Sequence, residues 1–282
     1  MRFGTLDGRL VLVRDGRALD VSRASDGRLP SDAVAALESW DELRSWATTA
    51  SWDDAVPFAP ADLGAPVPTP RQVFAIALNY APHAAEAGFA PPPEPLVFTK
   101  FPSCITGPVS TVELPKGNVD WEIEVVAVIG RGGYRIPRTT AWDAVAGLTL
   151  GQDLSERLLQ LTGTPPQFSL AKSHPGFGPT GPVVVSVDEL AAIGDRDDLA
   201  FESRIGEEII QHGRTGQMIF PIDELVHRLS QVCRLLPGDL IFTGTPEGVG
   251  NRRTPPRFLS PGEELVSTME HVGGISQRFV GA

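Results

Sequence analysis

The sequence is poor in cysteine: Cys104 and Cys233 are the only two in 282 residues. They stand far apart and neither belongs to a Cys-x-x-Cys pair, which excludes a disulfide-stapled secreted scaffold. Long apolar runs are missing as well. No stretch of about 18 apolar residues occurs, so no segment is expected to cross a membrane as a helix. The opening residues, Met1-Arg2-Phe3-Gly4-Thr5-Leu6-Asp7-Gly8, lack the apolar stretch of a signal peptide. Together these absences predict a cytoplasmic protein. Positive charge is also scarce: 24 Lys and Arg face 35 Asp and Glu, a formal net charge of -11. A chain this acidic has no basic footprint for a phosphate backbone, so nucleic acid is excluded as a partner.

Glycine and proline are plentiful, at 29 and 26 residues. That density implies many turns and short strands rather than a helical bundle. Asp7-Gly8 and Asp15-Gly16 are hairpin-turn dipeptides between the apolar runs Leu10 to Val13 and Ala18 to Val21. A helical stretch is expected around Asp32 to Trp46. The Pro/Ala-rich run Ala65-Pro66-Val67-Pro68-Thr69-Pro70 then reads as a linker. The expected organisation is a small β-rich N-terminal domain over 1–66 and a larger β-rich domain over 67–282. Within the latter, Val73 to Leu78, Glu124 to Ile129, Pro182 to Val187 and Leu240 to Thr243 read as buried strands. Ile222, Leu225, Val226, Leu229, Val232, Cys233 and Leu236 repeat at helical spacing, and Pro237-Gly238-Asp239 stops that helix.

Several motifs carry chemistry. In Asp120-Trp121-Glu122-Ile123-Glu124-Val125 the strand period of two points Glu122 and Glu124 the same way. Two carboxylates on one face are either solvated or share a hard cation, and the apolar run that follows argues that this strand enters the core. Asp153, Arg157 and Gln160 are spaced i, i+4, i+7, so a helix would align an acid, a planar cation and an amide; an ordinary surface salt bridge is the plainer alternative. His83 and Glu86, three apart after Pro82, share a helical face, and a carboxylate so placed orients an imidazole and raises its basicity. Lys100 and Lys172 stand in apolar surroundings, where they either snorkel or serve an anionic intermediate. Pro237 to Gly250 runs a strand into a glycine-rich loop able to offer N–H groups to an anion.

In this order the motifs resemble the fumarylacetoacetate hydrolase family. The resemblance rests on Asn79 to Glu86, Phe98 to Lys100, Glu122 to Gly130, Asp153 to Gln160, Ala171 to Ser173, Gly181-Pro182 and Pro237 to Gly250, and covers roughly residues 70 to 280. It implies an α+β, mainly β fold, a β-sandwich-like roll with a small N-terminal domain, assembled as a homodimer. It also implies Mg²⁺ or Mn²⁺ held by Glu122, Glu124 and Asp153. His83 and Glu86 become a water-activating dyad with Lys172 as a further catalytic group, and Tyr80, Lys100, Arg157, Gln160 and Thr245 become substrate contacts. The sequence departs from the pattern at Gln152, Ile205-Gly206 and His271 to Gly274. The implied partner is a small 2-oxo acid. The expected reaction is hydrolysis of a carbon–carbon bond in an acylpyruvate or related β-diketo acid through a metal-stabilised pyruvate enolate. Oxaloacetate decarboxylation, 2-keto-4-enoate hydration and keto–enol isomerisation on the same site are the alternatives. A member that binds oxo acids without chemistry is a minor one.

Overall fold

A computed structural model describes residues 1–281 of the chain. Its first strands follow from two aspartate–glycine pairs. Asp7 and Gly8 adopt φ of 51° and 72°, and Asp15 and Gly16 adopt 50° and 71°, the successive positive values that a two-residue hairpin turn demands. They close hairpins joining Arg2–Leu6, Arg9–Arg14 and Arg17–Asp20. The helical stretch that follows is split into Ala33–Glu38 and Trp40–Ala47, with the Asp32 carboxylate capping the first by accepting the Ala35 N–H at 2.8 Å.

These hairpins add to a larger sheet. Arg2–Leu6 pairs antiparallel with Gly178–Ser186, Phe3 lying opposite Val184. The sheet continues through Val145–Gln152, Ile123–Ile129, Leu240–Phe242, Val73–Ala77 and Leu96–Thr99. A five-stranded sheet, ordered Glu208–Arg214, Ala200–Ile205, Glu264–Met269, Gly273–Gly281 and Val109–Leu114, packs against the Val145–Gln152 and Gly178–Ser186 strands. The chain therefore adopts the mainly β, two-sheet α+β architecture expected from its sequence.

The Ile123–Ile129 strand is buried along its whole length and separates two apolar clusters. Ile123, Val125, Ala127 and Ile129 face Leu225, Val226 and Leu229 of the Ile222–Val232 helix. Val126 and Val128 face Ala75, Phe242, Phe3 and Trp40, so N-terminal side chains complete the second cluster. That helix is shorter than its apolar spacing predicts. It ends at Val232, and Cys233 is already extended, because Leu235 exchanges two 2.9 Å backbone hydrogen bonds with Gly133. Cys233 packs, half-buried, against the core.

Candidate active site

The strand that divides the core also starts the site. Glu122 and Glu124 occupy the same face as Val126 and Val128, one end of the row being carboxylate and the other valine. Across the ladder Glu124 pairs with Gly151 and Ile123 with Gln152. Asp153 therefore emerges beside them, and its N–H donates to the Glu122 carbonyl at 2.8 Å. One carboxylate oxygen from each of Glu122, Glu124 and Asp153 lies within 4.8 Å of the others, and all three residues are buried. The position of Asp153 differs from the sequence expectation. It sits on a strand exit, not at a helix start; the short strand Ser155–Glu156 intervenes, and Glu156, accepting from the Leu158 and Leu159 N–H groups, caps the Arg157–Gln160 turn.

Buried cations surround the three acids. Lys172 Nζ donates to Glu122 Oε2 at 2.7 Å, Asp153 Oδ2 at 2.7 Å and Ser155 Oγ at 2.8 Å. Lys100 Nζ lies behind Asp153, donating to its Oδ1 at 2.6 Å and to the Lys172 and Phe177 carbonyls. Arg157 spends its fork on protein: Nε on Asp120 Oδ1 at 2.6 Å, Nη2 on Glu122 Oε1 at 2.7 Å and Nη1 on Gln160 Oε1 at 2.8 Å. Four carboxyl groups thus meet three cations, one negative charge in excess when all four are ionised.

The electrostatics locate that excess. Burial alone would raise the Glu122 carboxyl, but Lys172, Arg157 and His83 outweigh it and bring the pKa down to about 2. Glu124 goes the other way: burial, then the nearby Asp153 and Glu122 charges, push it well above the usual range. Its hydrogen-bond donor is the Gly244 N–H, at 2.7 Å from Oε2. Burial lifts Asp120 to about 6 despite Arg157. Burial would lower the Lys172 ammonium, yet Asp153 and Glu122 overcome this and raise it, so it stays charged. A buried, all-oxygen triad in which Glu124 has no side-chain cation of its own fits a hard divalent cation and offers no soft ligand.

Of the triad, Glu122 reaches a cavity of about 540 Å³ whose lining also includes His83, Arg157, Gln160, Lys172 and Thr245, while Glu124 and Asp153 lie beneath it. His83 lies on the Ala81–Glu86 helix, with Nδ1 3.1 Å from Glu86 Oε2. The Gly248 N–H donates to Glu86 Oε1 at 3.1 Å, which fixes the carboxylate from behind. Holding Nδ1 this way leaves Nε2 for the cavity. Thr245 Oγ1 donates to the Ile123 carbonyl at 2.8 Å. Two of the expected contacts lie elsewhere. Lys100 is behind the triad, and Tyr80 is in the core against Phe201, its hydroxyl without a hydrogen-bond partner among the described residues.

Sequence reasoning missed three supports. Asp120 holds both Arg157 and, through Oδ2, the Asn251 N–H at 2.7 Å. Gln152 Oε1 accepts the Glu122 N–H at 3.0 Å while its Nε2 reaches Ser203 and Ser267, both at 2.9 Å. Gln211 Oε1 accepts the Ile123 N–H at 2.9 Å and its Nε2 donates to Thr245 Oγ1 at 2.9 Å. The two amides clamp the backbone that carries Glu122. A wider cleft of about 1010 Å³, between the N-terminal helices and Ser186 to Glu189, holds none of the expected residues. Some of its charges pair with one another, as in Arg44 with Asp188 and Arg2 with Glu189.

A carboxylate triad at the end of a buried strand, under a helix-borne His–Glu pair, defines a class of enzyme, and the comparisons name it. Residues 72–280 match the fumarylacetoacetate (FAA) hydrolase C-terminal family, and the chain belongs to that family. It is 37% identical over 261 residues to the human mitochondrial oxaloacetate tautomerase FAHD2A, covering 91% of this chain and 82% of that protein. A Mycobacterium smegmatis structure provisionally named HpcE is 52% identical, with a TM-score of 0.94 and full coverage of both chains. The fumarylacetoacetate hydrolase of Exiguobacterium antarcticum is 29% identical, again fully covered, with a TM-score of 0.85. The cytoplasmic location expected from the sequence does not stand, since the similar tautomerases of Bos taurus, Homo sapiens and Rattus norvegicus are labelled mitochondrial. Composition says nothing about a compartment, which an address segment sets. Among the described residues no helix is long and apolar enough to cross a membrane.

Proposed function

We propose that this enzyme moves a proton at C3 of a small 2-oxo acid, and that keto–enol tautomerisation of oxaloacetate is the reaction it serves. The observation that carries the reading is the buried carboxylate triad, whose Glu122 shares one cavity lining with His83. A divalent cation, Mg²⁺ or Mn²⁺, held by Glu122, Glu124 and Asp153, would supply Lewis-acid polarisation of the 2-oxo group. The cluster's charge of minus one, the cation and one substrate carboxylate then sum to zero, which suits a buried site. His83 Nε2 takes the C3 proton and returns it to the enol oxygen or carbon. Glu86 holds the ring in place through Nδ1. The Lys172 ammonium, fixed by Glu122 and Asp153, places positive charge where the enolate develops. The similarity to oxaloacetate tautomerases supports this ordering of alternatives.

A second reading is hydrolysis of an acylpyruvate. It is favoured by the His83–Glu86 pair, whose geometry also suits deprotonating a water. The deciding experiment strips the protein with chelator, reloads it with Mg²⁺ or Mn²⁺, and follows enol-oxaloacetate by absorbance beside acetylpyruvate cleavage. Tautomerisation should vanish on stripping and return with either ion. Full activity in metal-free protein would sink the cation assignment, and acetylpyruvate turnover that outpaces tautomerisation would favour the second reading.

A further inference from the structure

The cations deepest in the cavity are already committed. Lys172 donates to three protein acceptors and Arg157 to three others. Lys172 has no donor to spare, and Arg157, although two of its five N–H groups are unused, already has its charge balanced by Asp120 and Glu122. One further cation lines the cavity, Arg252, on the Gly250–Arg252 turn. It is exposed, and among the described residues its guanidinium makes no ion pair and no hydrogen bond. Its neighbours are unlike it in this respect. Arg253 pairs with Glu208 and Arg257 with Glu263, at 2.7 and 2.8 Å, and both lie over the Trp121 ring. Of three arginines on one loop, the one that faces the cavity is the one left free.

The turn is also fastened. The Asn251 N–H donates to Asp120 Oδ2 at 2.7 Å, and Asp120 is the carboxylate that holds Arg157. The Arg257 N–H donates to the Gly250 carbonyl at 2.9 Å. A Cβ at Gly250 would come within 2.1 Å of the Arg257 carbonyl and 2.8 Å of Asp120 Cβ, so glycine permits this close packing. The backbone beneath Arg252 is therefore tied to the inner site. Across the cavity the wall is apolar, with Phe89, Leu96, Val97, Phe98 and Phe168. Arg252 is the arginine or lysine on this lining that has no acidic partner among the described residues, so it is where a carboxylate at the far end of the substrate would find a free positive charge.

We infer that Arg252 is a specificity-determining residue that recognises a distal carboxylate, so that the enzyme prefers 2-oxo dicarboxylates over 2-oxo monocarboxylates. The inference rests on the proposed 2-oxo acid site, and it adds the end of the molecule opposite the reacting carbon. A planar guanidinium can grip a carboxylate with two parallel hydrogen bonds, which an ammonium cannot.

The test uses two 2-oxo acids that differ by one carboxylate, 2-oxoglutarate and 2-oxobutanoate, titrated calorimetrically into the Mg²⁺-loaded protein. The wild type should bind the diacid about 10- to 100-fold tighter, the range of a charged hydrogen-bonded pair. Arg252→Gln should abolish that ratio while shifting 2-oxobutanoate by less than about twofold, so the monoacid reports that the inner site is intact. Arg252→Lys should recover part of the ratio, and Arg252→Glu should reverse it. Equal affinities in the wild type, or a ratio that survives Arg252→Gln, would overturn the inference. If neither acid binds, the 2-oxo acid reading itself fails, and the inference falls with it. If the ratio behaves as expected but oxaloacetate is not tautomerised, Arg252 keeps its role and the reaction assignment alone is lost.

Discussion

His83 meets the cavity through one ring nitrogen, the other being held by Glu86. That division of labour is testable. His83→Ala should slow oxaloacetate tautomerisation by about 10² to 10⁴-fold, and Mn²⁺ affinity should survive, because the imidazole is outside the carboxylate triad. Glu86→Gln should be milder, since the ring remains and loses only its orienting charge. Stopped-flow absorbance and calorimetry read both quantities on the same sample. An unchanged rate would remove His83 from the mechanism, and selective loss of acetylpyruvate cleavage would move it to a water. The carboxylates were legible at this scale because strand periodicity alone aims Glu122 and Glu124 together. Their supports were not. Gln152, Gln211 and Asp120 act on partners 30, 88 and 37 residues away, and no local pattern marks an amide that will hold a distant backbone. Arg157 shows the opposite case: its spacing to Gln160 was readable, and the two do touch, but its ion pairs with Asp120 and Glu122 were not.

At the scale of elements, the site depends on how closely Val145–Gln152 approaches Gly178–Ser186, since the first of these delivers Asp153. Gly147 lies at that contact, opposite Ser186. A Cβ there would stand 2.2 Å from the Val185 carbonyl oxygen and 2.7 Å from Val184 Cγ1. Backbone and β-branched neighbours give way poorly, so Gly147→Ala should cost about 1–3 kcal/mol of stability. A urea titration checks this, and an unmoved midpoint would mean the strands can part without cost. The buried strands were legible as apolar runs, and both Asp-Gly hairpins as turn chemistry. The Arg157–Gln160 turn was misread by one element because its cap is Glu156, whose side chain doubles back to Leu158 and Leu159. The helix after Pro221 ran short for a tertiary reason: pairing of Leu235 with Gly133 outweighs two further residues of helical spacing.

For the molecule as a whole, sequence shows a proline-rich run near residue 66 but not what lies on either side of it in space. Hydrophobic patterning identifies strands without naming their partners, and Arg2–Leu6 finds its partner in Gly178–Ser186, across most of the chain. The consequence is a shared core. Phe3, Leu37, Trp40 and Leu43 are buried in the same cluster as Ala75, Val126, Val128, Val184 and Phe242. Removing residues 1–66 would bare that face of the central sheet, including the row whose other end carries Glu122 and Glu124, and would leave Gly178–Ser186 as an open edge. Burial of such side chains contributes about 1.5–3 kcal/mol each, against a net stability of about 5–15 kcal/mol for a whole domain. A fragment spanning 67–282 should therefore fail to unfold cooperatively, should bind a hydrophobic dye, and should lose Mn²⁺ affinity although every carboxylate of the triad is retained. Calorimetric unfolding, dye fluorescence and metal titration of the fragment beside the full chain measure the three effects. A soluble fragment with one sharp unfolding transition and full-length metal affinity would show instead that the first 66 residues cover a sheet that stands without them.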